Sequence, residues 1–182
     1  DAKRGPARFR NFNLSVLVSD AFMATLAADG DWPLVFDGRV LKVVRAADLW
    51  ARLMRATYDA AEPGVIFIDR VNAANNLANC ETILASNPCG EQMLPAYGAC
   101  LLGSINLAKL VRRPFEPDAA LDEADLAELT RTGVRLLDNV IDVSRFPLEA
   151  QAAEAKAKRR IGLGVTGLAD ALVFCGAAYG GE

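Results

Sequence analysis

Apolar and polar positions along this chain switch repeatedly between a period of two and a period near 3.6, the spacings of strand and helix. The run NFNLSVLV at residues 11–18 sets Phe12, Leu14 and Val16 on one face and predicts a buried strand. Ser19 then stands as an N-cap for a helix over residues 20–28. In LVFDGRVLKVV, residues 34–44, Asp37-Gly38 separates two apolar runs, which is a hairpin signal. Leu49, Leu53 and Ala56 or Ala60 recur at helical spacing over residues 46–61, and Pro63 and Gly64 end that helix. VIFI, residues 65–68, reads as a short, fully apolar strand.

The second half carries fewer strands and stronger helices. Four asparagines between positions 72 and 79 suit an irregular loop, and residues 80–85 lead out of it. Residues 97–102 read as a strand, 105–111 as a short helix or turn, and 113–117 as a loop. Residues 122–143 open with acidic side chains and then place Leu126, Leu129, Val134, Leu137 and Ile141 near helical spacing. Residues 149–160 predict a second, Ala-rich helix whose basic end suits the helix dipole. The glycines from 162 to 167 break the pattern, and residues 168–174 resume as helix. Residues 1–10, basic and carrying Gly5 and Pro6, read as a loop. Alternating strands and helices make α/β the natural class, with no internal repeat and no low-complexity segment.

Composition narrows the function. A chain of 182 residues, 52% apolar, is long enough for one good core and is not a disordered tail. The net charge of −3 and the short basic clusters give no footprint for nucleic acid. No apolar run approaches the roughly 18 residues of a membrane span. The start, Asp1-Ala2-Lys3-Arg4-Gly5-Pro6, has no signal-peptide core and suggests a piece of a longer chain. The cysteines Cys80, Cys89, Cys100 and Cys175 form no C-x-x-C pair, so no structural zinc site is expected; without a secretory signal no disulfide scaffold is expected either, and a reduced, cytoplasmic compartment is. The chain has no histidine, which excludes Cys–His and Ser–His nucleophile pairs and His-ligated metals within it.

The stretch with chemistry is Asn87-Pro88-Cys89-Gly90-Glu91-Gln92. In an extended or looped backbone, side chains at i, i+2 and i+4 leave on one side, so Asn87, Cys89 and Glu91 can converge on one small molecule. Pro88 stiffens the loop, and Gly90 allows close approach to the backbone. A carboxylate beside a thiol repels the thiolate, which points away from acyl transfer and towards one-electron chemistry of the sulfur. Cys100 follows 11 residues later, close enough in sequence to line the same cavity. Cys80 and Cys175 read as core thiols. Gly162-Leu163-Gly164-Val165-Thr166-Gly167 matches G-x-G-x-x-G, but a charged helix ending Lys158-Arg159-Arg160 precedes it where a dinucleotide site needs a strand. The motif is read as a tight turn.

Taken together, the residues are recognisable. Asn87 to Gln92, then Leu94-Pro95, Tyr97-Gly98-Ala99-Cys100 and Leu102-Gly103-Ser104-Ile105-Asn106-Leu107, resemble the active-site segment of the ribonucleotide reductase large chain, closest to its adenosylcobalamin-dependent form. Flanking segments agree: Arg10 to Val16, Pro63 to Arg70 and Arg159 to Asp170. The resemblance implies a partial catalytic barrel domain over residues 1–182, part of a ten-stranded α/β barrel with the active-site cysteine on a finger loop. It implies that Cys89 becomes the thiyl radical that abstracts the 3′ hydrogen of a ribonucleotide, and that Glu91 acts as base on the 3′ hydroxyl. It implies that Asn87 orients the ribose hydroxyls, an amide being a poor base, with Pro88 and Gly90 completing the substrate loop. Cys100 matches half of a redox pair whose partner lies upstream of this segment. The resemblance further implies adenosylcobalamin bound largely outside the segment, a dithiol or thioredoxin-type reductant, an effector site elsewhere, and a homodimer of the full-length chain. The metal-dependent form of the same enzyme and a non-catalytic relic of the fold are the alternatives.

Overall fold

The structure, a computed structural model, describes Phe9 and residues 11–181 and divides into two compact units, Asp1–Ala96 and Tyr97–Glu182. Apart from Phe9, the loop expected over residues 1–10 lies outside the described residues.

In the first unit, β1 (Ser15–Val18) pairs in parallel with β4 (Gly64–Phe67). A parallel pair needs a crossover. Here it comprises α1 (Asp20–Ala27), a hairpin of β2 (Asp31–Phe36) and β3 (Arg39–Arg45), and α2 (Ala46–Ala60). Ser19 caps α1 as expected, its Oγ accepting from the Phe22 N–H at 3.1 Å. The hairpin turns at Asp37-Gly38 with both residues at positive φ, the turn that follows strand twist. Val18, Phe22 and Ala46 form the core, with Phe22 edge-on to Trp32 at 5.2 Å. After β4 the chain enters α3 (Ile68–Ala73), where Asp69 accepts from the Asp20 N–H and Arg70 pairs with the Asp20 carboxylate.

In the second unit, β7 (Leu101–Asn106) pairs in parallel with β10 (Ile161–Thr166). Between them run a 3₁₀ turn (Leu107–Leu110), β8 (Val111–Arg112), β9 (Ala120–Leu121), α4 (Glu123–Val143) and α5 (Glu149–Lys158); α6 (Leu168–Phe174) follows. Leu107, Leu110, Val111 and Ala171 form its core. Asp122 caps α4 by accepting from the Asp125 N–H, and it is buried against Arg112. Those two partners, the backbone donor first, hold its carboxyl below the usual range.

The class is α/β as expected, and among the described residues no closed barrel forms. Several expectations shift. The first strand forms only at Ser15–Val18, where β4 supplies a ladder, and Phe12 is 61% exposed. The strand placed at residues 97–102 forms at Leu101–Asn106. Asn72 belongs to α3 instead of a loop, and its carboxamide pairs with both backbone groups of Ile83. The glycines at 162 and 164 sit inside β10, so their motif is neither the expected turn nor a phosphate loop, and only Gly167 turns the chain, at φ +66. Cys175 packs beside the second core, whereas Cys80 is exposed after a turn in which its N–H donates to Leu77.

Candidate active site

Asn72 also prepares the site. It pins Ile83, the first residue of β5 (Ile83–Ser86), which pairs antiparallel with β6 (Met93–Pro95). The Asn87 to Gln92 stretch is the loop between those strands. Asn87 fastens its base: its N–H donates to the Gln92 carbonyl at 3.0 Å, and its Oδ1 accepts from the Gln92 N–H at 2.9 Å. Its own carbonyl accepts from the Gly90 N–H and from Ser86 Oγ. Pro88 and Cys89 therefore sit at the corner of a turn, with Gly90 at φ +82 in open space. Glycine is needed there for backbone conformation, not for lack of room. From outside the hairpin, Asn13 Nδ2 donates to the Pro88 carbonyl at 2.9 Å.

Of the extended and looped forms expected of this stretch, the looped one is found. Asn87, Cys89 and Glu91 share one loop, but they do not leave it at alternate positions of a strand. Cys89 lines a cleft of about 430 Å³ together with Asn13, Ser15, Pro88 and Gly90. Asn87 lines another, of about 540 Å³, that shares Asn13, Ser15 and Pro88. Glu91 lines neither of these two clefts and is exposed, as is Cys89. The thiol and the carboxylate are thus reachable by a ligand, and the amide oxygen of Asn87 is engaged in holding the loop.

Cys100 belongs to the second unit, where it directly precedes β7 and is half-buried. Its Sγ lies 3.8 Å from the Leu101 carbonyl, and a Cβ at Gly162 would stand 3.7 Å from the sulfur. The Leu101 N–H donates to the Arg160 carbonyl, so the arginine pair ahead of β10 sets the strand beside this thiol. Arg159, left-handed at φ 49, binds Asp138 at 2.7 Å and Asp142 at 2.9 Å on α4. The hydrogen bond to Arg159 holds both carboxyls below their usual range, and the two carboxylates raise the guanidinium in turn. Sequence reasoning gave neither Asn13 nor Arg159 a role at the site, reading Asn13 as a strand position and Arg159 as a complement to the helix dipole, each within a segment of the resemblance. No local pattern marks either partner, since Asp138 lies 21 residues from Arg159 and Pro88 lies 75 from Asn13. Among the described residues no group of three or more His, Cys, Asp or Glu side chains gathers as a metal site.

Comparison with known proteins bears on the same residues. All of residues 1–182 match the family model described as ribonucleotide reductase, barrel domain. A vitamin B12-dependent ribonucleoside-diphosphate reductase of Mycobacterium tuberculosis is 40% identical over 179 residues, covering 97% of this chain and 25% of the relative. One of the same name from Thermoplasma acidophilum is 39% identical over 165 residues, covering 90% of this chain and 21% of that protein. A ribonucleoside-diphosphate reductase subunit alpha of Chlamydia muridarum is 35% identical over 149 residues, covering 79% of this chain and 14% of that protein. The chain thus spans about a quarter or less of the length of these curated relatives. With the match running from end to end of the sequence, the chain belongs to the ribonucleotide reductase family, in its barrel domain.

Proposed function

We propose that the protein takes part in reducing ribonucleotides to 2′-deoxyribonucleotides, as a portion of the catalytic barrel of a cobalamin-dependent reductase. The observation that carries this reading is an exposed thiol, Cys89, at the corner of a loop fastened by Asn87, in a chain that matches the family's barrel from end to end. In this reading Cys89 works as a thiyl radical and takes the 3′ hydrogen atom of the substrate. Glu91, exposed on the same loop, accepts the 3′ hydroxyl proton and so helps the 2′ hydroxyl leave as water. Asn87 orients the ribose hydroxyls through its amide N–H₂, because its oxygen already accepts from Gln92. Pro88 and Gly90 shape the turn. Cys100 supplies one of two thiols that reduce the substrate radical and end as a disulfide, its partner lying outside this segment.

The cofactor reading rests on reach. Cys89 is exposed and lines an open cleft, so a bulky radical source can approach its sulfur, which fits adenosylcobalamin held largely by residues outside this segment. When bound, that cofactor supplies the radical. The chain's contribution is to hold the thiol in one place, since small displacements of reacting atoms cost rate steeply. Relatives named vitamin B12-dependent reach 40% identity over nearly the whole chain, which favours this form over the metal-dependent one. The word diphosphate in the relatives' names supports a ribonucleoside diphosphate substrate. The ten-stranded closure with the cysteine on a finger loop, a dithiol of thioredoxin type, an effector site outside the segment, a homodimer and a cytoplasmic location complete the proposal.

The test uses the full-length parent protein with a dithiol reductant, with and without adenosylcobalamin, for the wild type and Cys89→Ser. Turnover that requires cobalamin and is lost in the variant is expected. Turnover that ignores cobalamin and needs a metal-loaded partner would move the chain to the other form. Undiminished turnover in Cys89→Ser would end the assignment of the radical residue.

A further inference from the structure

We infer that Asn13 is a positioning residue for the Cys89 thiol, an inference that rests on reading Cys89 as the radical residue. Its carboxamide grips the Pro88 carbonyl at 2.9 Å and fixes the peptide plane on which the cysteine is carried.

The argument starts at Pro88. Proline has no N–H, so its backbone can be held by hydrogen bonding through the carbonyl alone. That carbonyl belongs to the same planar peptide unit as the nitrogen and Cα of Cys89. A donor on the Pro88 oxygen therefore restrains the rotation that would swing the cysteine side chain. The bonds of Asn87 with Gln92 and Gly90 do not do this, because they tie the hairpin to itself and move with it. Asn13 ties the loop to the sheet instead. It adjoins Leu14, whose carbonyl accepts from the Gly64 N–H at 2.9 Å where β1 and β4 meet. Asn13 also lines both clefts that flank Pro88, so it stands where the loop meets a ligand.

The experiment again uses the full-length parent. Wild type, Asn13→Ala and Asn13→Asp are treated with iodoacetamide, and alkylation of Cys89 is followed by peptide mass mapping. Steady-state turnover is measured in parallel. Loss of the tether is expected to speed alkylation of Cys89 severalfold and to lower kcat about 10- to 100-fold, with KM within about twofold, as misplacement of a reacting atom does. Asn13→Asp keeps the size but turns an acceptor towards the carbonyl, so it is expected to lose at least as much as Asn13→Ala. Unchanged alkylation and unchanged kcat overturn the inference, and so does a raised KM with kcat intact, which is the mark of simple substrate binding. If Asn13→Ala unfolds, Asn13→Gln keeps a donor on a longer arm. Its alkylation rate must then fall between wild type and Asn13→Asp, and a rate equal to Asn13→Asp overturns the inference. Alkylation is read without turnover. Failure of the radical reading, seen as activity in Cys89→Ser, is therefore distinct from failure of the tether.

Discussion

Gly162 and Gly167 stand in one motif, yet their neighbours give them different costs of substitution. A Cβ at Gly162 would meet Leu102 Cδ2 at 2.7 Å, the free end of a side chain that is itself exposed and can swing away. A Cβ at Gly167 would collide with Asn106 Oδ1 in a backbone already at φ +66. That Asn106 oxygen accepts from the Ala108 N–H and starts the 3₁₀ turn, so it cannot yield without losing its bond. Gly167→Ala is therefore expected to cost about 1–3 kcal/mol in denaturant unfolding, and Gly162→Ala clearly less. Equal losses would mean that neither the cap nor the positive φ matters. At this scale the sequence was legible where chemistry is local. Asn87, Cys89 and Glu91 stand together on one loop as expected, and that loop is a turn because Gly90 bonds back to Asn87. Asn13 was invisible because its partner, Pro88, lies 75 residues away.

Among elements, those built from neighbouring residues were readable, and those completed by distant ones were not. The hairpin at Asp37-Gly38 and the helix capped at Asp122 carry their own turn and cap chemistry. By contrast, β10 is a strand because β7 pairs with it along its whole length, which no local glycine count can reveal. The join before β10 depends on Arg159 and its two carboxylates, and this makes its stability a function of pH. A carboxyl held below its usual range is more often charged in the fold than in the open chain. It therefore adds stability above its unfolded pKa, near 3.9, and loses it as pH falls through the lower folded value. Asp138 and Asp142 both behave in this way because of Arg159. Arg159→Met is expected to melt below the wild type at neutral pH. The gap between the two melting temperatures should close below about pH 4, as both carboxyls protonate in either protein. A gap that stays constant down to pH 3 would show that Arg159 acts through packing alone.

At the scale of the whole chain, the two units repeat one difficulty: among the described residues each holds a single parallel strand pair. Parallel sheets are stable when both faces are covered. Here Leu17 and Phe67 on the first pair, and Leu102 and Val165 on the second, are exposed, while Val18 and Ile66 turn inward. Apolar side chains on the β2–β3 hairpin add to this, with Phe36 74% exposed and Leu41 69%. No large side chain among the described residues is fully buried. Apolar surface left in water does not contribute its roughly 25 cal/mol per Å² to folding. The chain spans a quarter or less of its relatives' length, and under the proposal that it is part of a larger barrel these bare faces are where further chain would pack. Residues 1–182 produced alone are therefore expected to bind a hydrophobic dye such as ANS, to melt broadly and to show no turnover, while the full-length parent melts cooperatively with little dye bound. Calorimetry and dye titration on both proteins decide the matter. A sharp, dye-free transition in the short chain would mean that its units bury these faces without further chain, and the exposed strand pairs would then need another explanation than a barrel awaiting its remaining strands.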